Sequence, residues 1–80
     1  MREMEFKMER PGLVEKGDTV QVSEKKTALN YSYIINPAVA MSHCYKVNER
    51  LHSTEGVVKE IRHTERGYYV IVEFDEPDTL

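Results

Sequence analysis

The chain has a single cysteine, Cys44, and no tryptophan. One thiol excludes the internal disulfide framework on which small secreted domains depend, so a reducing, cytoplasmic location is expected. Long apolar runs are missing as well. Nothing approaches the roughly 20 unbroken apolar residues of a membrane span, and Met1-Arg2-Glu3-Met4-Glu5-Phe6-Lys7 mixes charges where a secretory leader would be apolar. No membrane partner is expected. Positive charge is in deficit too, with 11 Lys and Arg against 14 Asp and Glu, a net charge of -3 and a pI near 5.6. That balance disfavours a polyanion recognised by bulk charge, because phosphate binding draws on counterion release by clustered cations. Also absent are a glycine-rich phosphate loop, a Ser-His-Asp arrangement and a paired-histidine metal motif.

What is present is a chain of 80 residues, 40% hydrophobic and 31% charged. That composition predicts one globular domain with a real core and modest stability. Residues 1–15 read either as an added edge strand, with Met4, Phe6 and Met8 at a spacing of two, or as a frayed extension closed by Pro11-Gly12. Residues 16–77 read as the barrel domain and 78–80 as an acidic tail. Lys16-Gly17-Asp18 is a turn leading into a first core strand, Thr19 to Ser23, with Val20 and Val22 inward; Glu24-Lys25-Lys26 then ends it as a solvated turn.

The strongest pattern lies in the final third. Gly56 to Ile61, a turn at Thr64-Glu65-Arg66-Gly67 and Tyr68 to Phe74 read as a hairpin. Val58 and Ile61 can share a face only across a β-bulge. The predicted core is Val20, Val22, Val58, Ile61, Val70, Val72 and Phe74.

Between Thr27 and Tyr45 no residue carries a fixed charge, so something must shield this stretch from water. Leu29, Tyr31, Tyr33 and Ile35 alternate with Asn30, Ser32, Ile34 and Asn36, which predicts a strand. Asn36-Pro37 then offers a cap and first turn for a short helix running toward Tyr45.

The succession Gly17-Asp18-Thr19-Val20-Gln21-Val22, Glu55-Gly56-Val57-Val58 and Tyr69-Val70-Ile71-Val72-Glu73-Phe74-Asp75 resembles translation-type SH3-like barrels. These include KOW-type domains, certain ribosomal large-subunit proteins and the barrel of the nitrile hydratase β chain. The resemblance spans Lys16 to Pro77 with the middle unmatched, and implies a mainly β fold: a small, partly open SH3-like barrel with an inserted strand and short helix. The basic, glycine-containing loop of the KOW type is replaced here by the neutral stretch, so no functional residue carries over.

Candidate chemistry is sparse. His43, Cys44, His52 and His63 fit no metal spacing, and adjacent His43 and Cys44 side chains diverge. A Cys44 nucleophile would need a histidine in hydrogen-bond reach and an enclosed pocket, for which so small a domain has little room. Glu73, Asp75, Glu76 and Asp78 read as a solvated strand end and tail. No enzyme activity, cofactor or metal is therefore expected. The expected function is a protein-binding or adaptor module, monomeric or weakly homodimeric, using Tyr31, Tyr33, Met41 and Tyr45, residue types enriched at interfaces. The alternative is an RNA- or ribosome-associated domain using Lys59, Arg62, Arg66 and Tyr69, against which Glu60 and Glu65 interleave.

Overall fold

Period-two alternation at both ends of the sequence gives strands whose apolar faces must turn toward each other, and they close into a barrel. A computed structural model describes residues 1–36 and 39–77. The strands are β1 (Arg2–Met8), β2 (Thr19–Lys26), β3 (Tyr31–Ile35), β4 (Ala40–Ser42), β5 (Glu55–Thr64) and β6 (Gly67–Phe74), with a 3-10 helix at Val47–Glu49. Every pairing is antiparallel, and the order around the closed barrel is β1-β4-β3-β2-β5-β6. Because β1 lies beside β4 and not β2, the first four strands form a Greek key. The protein is thus a small, mainly β, six-stranded barrel, consistent with the SH3-like kind. Among the described residues, no helix is long and apolar enough to cross a membrane.

β1 pairs on both sides, with β6 from Arg2 to Met8 and with β4 from Phe6 to Met8, so it is a wall strand and not an edge. Its alternation fits this position: Met4, Phe6 and Met8 are buried, while Glu3, Glu5 and Lys7 face out. Phe6 meets Phe74 across the core with ring centroids 6.3 Å apart. Each such fully buried ring contributes about 2–3 kcal/mol of burial free energy.

Six of the seven predicted core residues are buried: Val20, Val22, Val58, Val70, Val72 and Phe74. The expected bulge is present, as a register shift between Val58 and Glu60, and it sets Ile61 opposite Val70. Ile61 is nonetheless 37% exposed. The reason is that β2 runs beside β5 only to Val57, so Ile61 lies past the facing wall. Gly67, with φ +129°, supplies the left-handed backbone at the hairpin turn. Gly56 is required for space, since a Cβ there would stand 2.7 Å from Val72 Cγ1.

Besides the exposure of Ile61 and the full closure of a barrel expected to be partly open, two expectations need correction. Glu24-Lys25-Lys26 is not a turn: these residues extend β2 and pair with Tyr33, Ser32 and Tyr31, and the turn follows at 27–30, where the Thr27 N–H donates to the Asn30 carbonyl. The short helix expected from Asn36 toward Tyr45 gives way to β4 at Ala40–Ser42; Pro37 and Ala38, which would open it, lie outside the described residues, as does the 78–80 tail. Tertiary pairing outweighs weak helix propensity here. β4 joins Ile34 and Ile35 on one side to Phe6, Lys7 and Met8 on the other, and the Ser42 hydroxyl accepts the Tyr33 N–H at 2.9 Å. Helical geometry instead appears downstream, at Val47–Glu49.

Candidate functional site

The neutral segment is not one surface. Tyr33 is 2% exposed and belongs to the core. Its hydroxyl donates to Glu24 Oε2 at 2.9 Å and accepts the Leu51 N–H at 2.7 Å. Burial, aided by the Glu24 carboxylate and opposed by the Leu51 amide, pushes this hydroxyl's pKa up to about 12. Tyr31 and Tyr45 are half-buried, joined by reciprocal backbone hydrogen bonds of 2.8 and 2.6 Å. The Tyr45 ring lies 6.1 Å from that of Tyr33 and 4.2 Å from that of His43. Met41 alone of the four is well exposed, at 46%, on the outer face of β4. The segment can lack charge because Ser32, Tyr33, Ile35, Ala40 and Ser42 are all buried.

Around Tyr33, the 46–54 connection closes the base of the barrel. The β2–β5 pairing ends at the Gln21–Glu55 rung and one further bond, from the Val22 N–H to the Thr54 carbonyl at 2.8 Å, and beyond it Leu51, 4% exposed, packs into the core. Arg50 forks onto Glu24 with two contacts of 2.9 Å and lies 4.9 Å above the Tyr31 ring. The Arg50 fork holds the Glu24 carboxyl below its usual range. On the other flank Arg2, 4% exposed, reaches Glu76 at 3.4 Å, donates to the Glu49 carbonyl and sits 5.6 Å from the Tyr45 ring. Glu76 also accepts from the Ser53 hydroxyl at 2.7 Å and from the Ser53 and His52 amides at 2.8 and 3.1 Å. Burial raises the Glu76 pKa, but these four donors outweigh it and hold the carboxyl below its ordinary value. The polar groups of Tyr33, Glu24, Arg50, Arg2 and Glu76 are thus all engaged with other groups of the protein, which makes them a structural fastening of the base.

The exposed candidate surface lies on the outer face instead. Cross-strand register aligns Ile34, Met41, Lys7, Tyr69 and Arg62 in one row across β3, β4, β1, β6 and β5. Tyr69 stands between two shallow depressions, one of about 470 Å³ toward Arg62, Arg66 and Glu65, the other of about 390 Å³ toward Lys7, Met41 and His43. Together they carry Glu5, Glu9 and Glu65 against Lys7, Arg62 and Arg66, so the surface is electrically balanced.

Of the alternative nucleic-acid set, the fold brings Arg62, Arg66 and Tyr69 to one depression. Lys59 is elsewhere, at the bulge and paired with Glu3; Arg62 also pairs with Glu60, at 3.1 Å. Lys7 and Glu5 were missed as site residues, although the alternation of Met4, Phe6 and Met8 already put them on the outer face. Cys44 is exposed, and among the described residues no three His, Cys, Asp or Glu side chains converge as a metal site. Compared with known proteins, the chain matches no family model, no curated protein and no solved structure.

Proposed function

We propose that this chain is a non-enzymatic, cytoplasmic protein-binding module of the SH3-like barrel type, and that its contact surface is the outer row centred on Tyr69. The observation that carries this reading is the juxtaposition of exposed Met41 with Lys7 and half-buried Tyr69 in one strand-crossing row, Met41 and Lys7 lining one open depression and Tyr69 lining that one and a second. Methionine and tyrosine are the residue types that protein interfaces favour, and the balanced charges around them suit a mixed polypeptide surface better than a phosphate backbone. The open form of the depressions suits a macromolecule more than a small substrate. An exposed, unpaired Cys44 fits a reducing compartment.

The test is affinity capture from the native cell with the wild type and a Met41→Glu/Tyr69→Ala variant whose melting temperature matches it. The expected result is a discrete protein retained by the wild type and lost from the variant. Equal capture by both overturns the reading. A second reading is favoured by the gathering of Arg62, Arg66 and Tyr69, which together could hold a phosphate and stack a base. It requires a labelled RNA to bind with a steep salt dependence that weakens when Lys7, Arg62 and Arg66 are replaced by Ala.

A further inference from the structure

Beyond Val58, one edge of β5 has no partner strand among the described residues. β2 pairs with it only from Glu55 to Val57, and Val58 exchanges two 2.8 Å backbone hydrogen bonds with Gly17 and Asp18. From there to Thr64 only β6 lies alongside. The ladder dictates which groups this edge presents. Val58 directs its N–H and C=O away from β6, so its partner Val72 occupies a non-hydrogen-bonded position on that side. Antiparallel positions alternate, and the bulge advances the register by one residue, so Ile61 opposite Val70 and His63 opposite Tyr68 also direct their backbone groups outward. Ile61 therefore offers a free N–H, a free C=O and a side chain 37% exposed at one point of an open edge.

We propose that this edge joins two copies of the chain, β5 to β5, antiparallel about a twofold axis through Ile61. The sequence of the edge is complementary to itself in that register. Ile61 meets the other copy's Ile61 as a hydrogen-bonded pair, and each Glu60 falls opposite the other copy's Arg62. Opposite charges facing across strands stabilise a pair and like charges oppose it. A twofold centred one residue later would set Arg62 against Arg62, which selects the register at Ile61. Within one chain Glu60 and Arg62 already lie on the same face, 3.1 Å apart, so the dimer extends an existing pair into a ring of four charges. The bulge at Lys59 ends the free edge, and the twofold uses the edge once in each copy, so association closes at two. With the bulge at Lys59, the stretch paired about this axis is three residues in each copy, Glu60 to Arg62, and buries less than the roughly 1,200–2,000 Å² of a standard stable interface, which makes this a weak dimer with Kd on the order of 0.1 mM. Arg62 belongs both to this edge and to the outer row, where it lies opposite Tyr69.

Sedimentation of the wild type at low salt, up to about 1 mM chain, should show a monomer–dimer equilibrium that salt weakens. Glu60→Arg alone and Arg62→Glu alone should each raise the dimer Kd about tenfold or more, because each places like charges across the axis. Mixing these two single variants should restore association, since every cross-strand pair is then opposite in charge. Ile61→Pro removes an N–H that the β6 ladder does not use, and should abolish dimerisation while the barrel still melts cooperatively. A wild type monomeric throughout the range, or single variants whose mixture associates no better than each alone, overturns the proposal and leaves an extended segment of another protein as the occupant of this edge.

Discussion

The two ends of the barrel meet the same geometric problem and answer it differently. At the base, β2 and β3 run on past the last rung that β2 shares with β5; at the tip, β5 and β6 run on past the start of β2. A two-stranded ribbon leaving a barrel uncovers one edge and one face. At the base both are covered: Leu51 packs into the core, Tyr33 and Glu24 receive it, and Arg2 and Glu76 fasten the connection from the two ends of the chain. At the tip, Ile61 stays exposed and the charges pair only with surface neighbours. The difference teaches where stability and association reside, since a sealed end contributes to folding and an open one is free for another chain.

The largest test uses the wall both ends share. Val72 pairs with Met4 and Val58 and is 0% exposed. Val72→Asp puts an unpaired charge in the core at a cost of about 4 kcal/mol or more, comparable to the whole stability of so small a domain. The variant should lack a cooperative melt, whereas Ile61→Asp at the tip should stay folded. A Val72→Asp protein with near-native stability would show that the register is wrong.

Next in size is removal of a fastening at the base. Arg2→Ala takes away the guanidinium that reaches Glu76, the Glu49 carbonyl and the Tyr45 ring, and should cost about 3 kcal/mol by urea unfolding, as loss of a buried ionic partner does. The same site makes stability depend on acid. The folded state lowers the Glu76 pKa, so its contribution is complete above the unfolded value near 4.3 and is lost as pH falls through the lower folded value. Glu76→Gln should flatten that acid limb. At the other extreme, Tyr33 has a raised pKa of about 12 against 10.0, so its contribution is complete below pH 10 and declines as pH rises from there toward 12.

The contrast between the ends also explains what the sequence could reveal. The hairpin was legible because its strands alternate and its turn holds a glycine, both properties of neighbouring residues. The bulge was legible because Val58 and Ile61 demand it. The base was not legible: Arg2 and Glu76 lie 74 positions apart, and Tyr33, Glu24 and Leu51 come from three segments whose meeting depends on barrel closure. A run of uncharged residues reports shielding from water, but not whether a core or a partner provides it. Tyr33 and Met41 gave the same signal, and the pleat sends one inward and the other out. β4 was hidden for a related reason, because its three residues are strand only by virtue of two neighbours that local propensity does not register.

The smallest expected effect compares two arginines of similar exposure, Arg50 at the base with a side chain 47% exposed and Arg62 at the tip at 54%. Each has one carboxylate partner, and counting ion pairs would rank them equally. Geometry ranks them apart. Arg50 makes two parallel contacts of 2.9 Å to Glu24 and lies over Tyr31, while that same carboxylate accepts from the Tyr33 hydroxyl, which receives the Leu51 amide. Arg62 makes a single contact of 3.1 Å to a residue two positions away on the same strand. Bidentate geometry resists loss through side-chain motion and couples Arg50 to buried groups, whereas an isolated surface pair contributes little. Arg50→Ala should therefore lower the melting temperature measurably in dilute solution, and Arg62→Ala should leave it within error. Equal shifts for the two would mean that the base is no more firmly sealed than the tip.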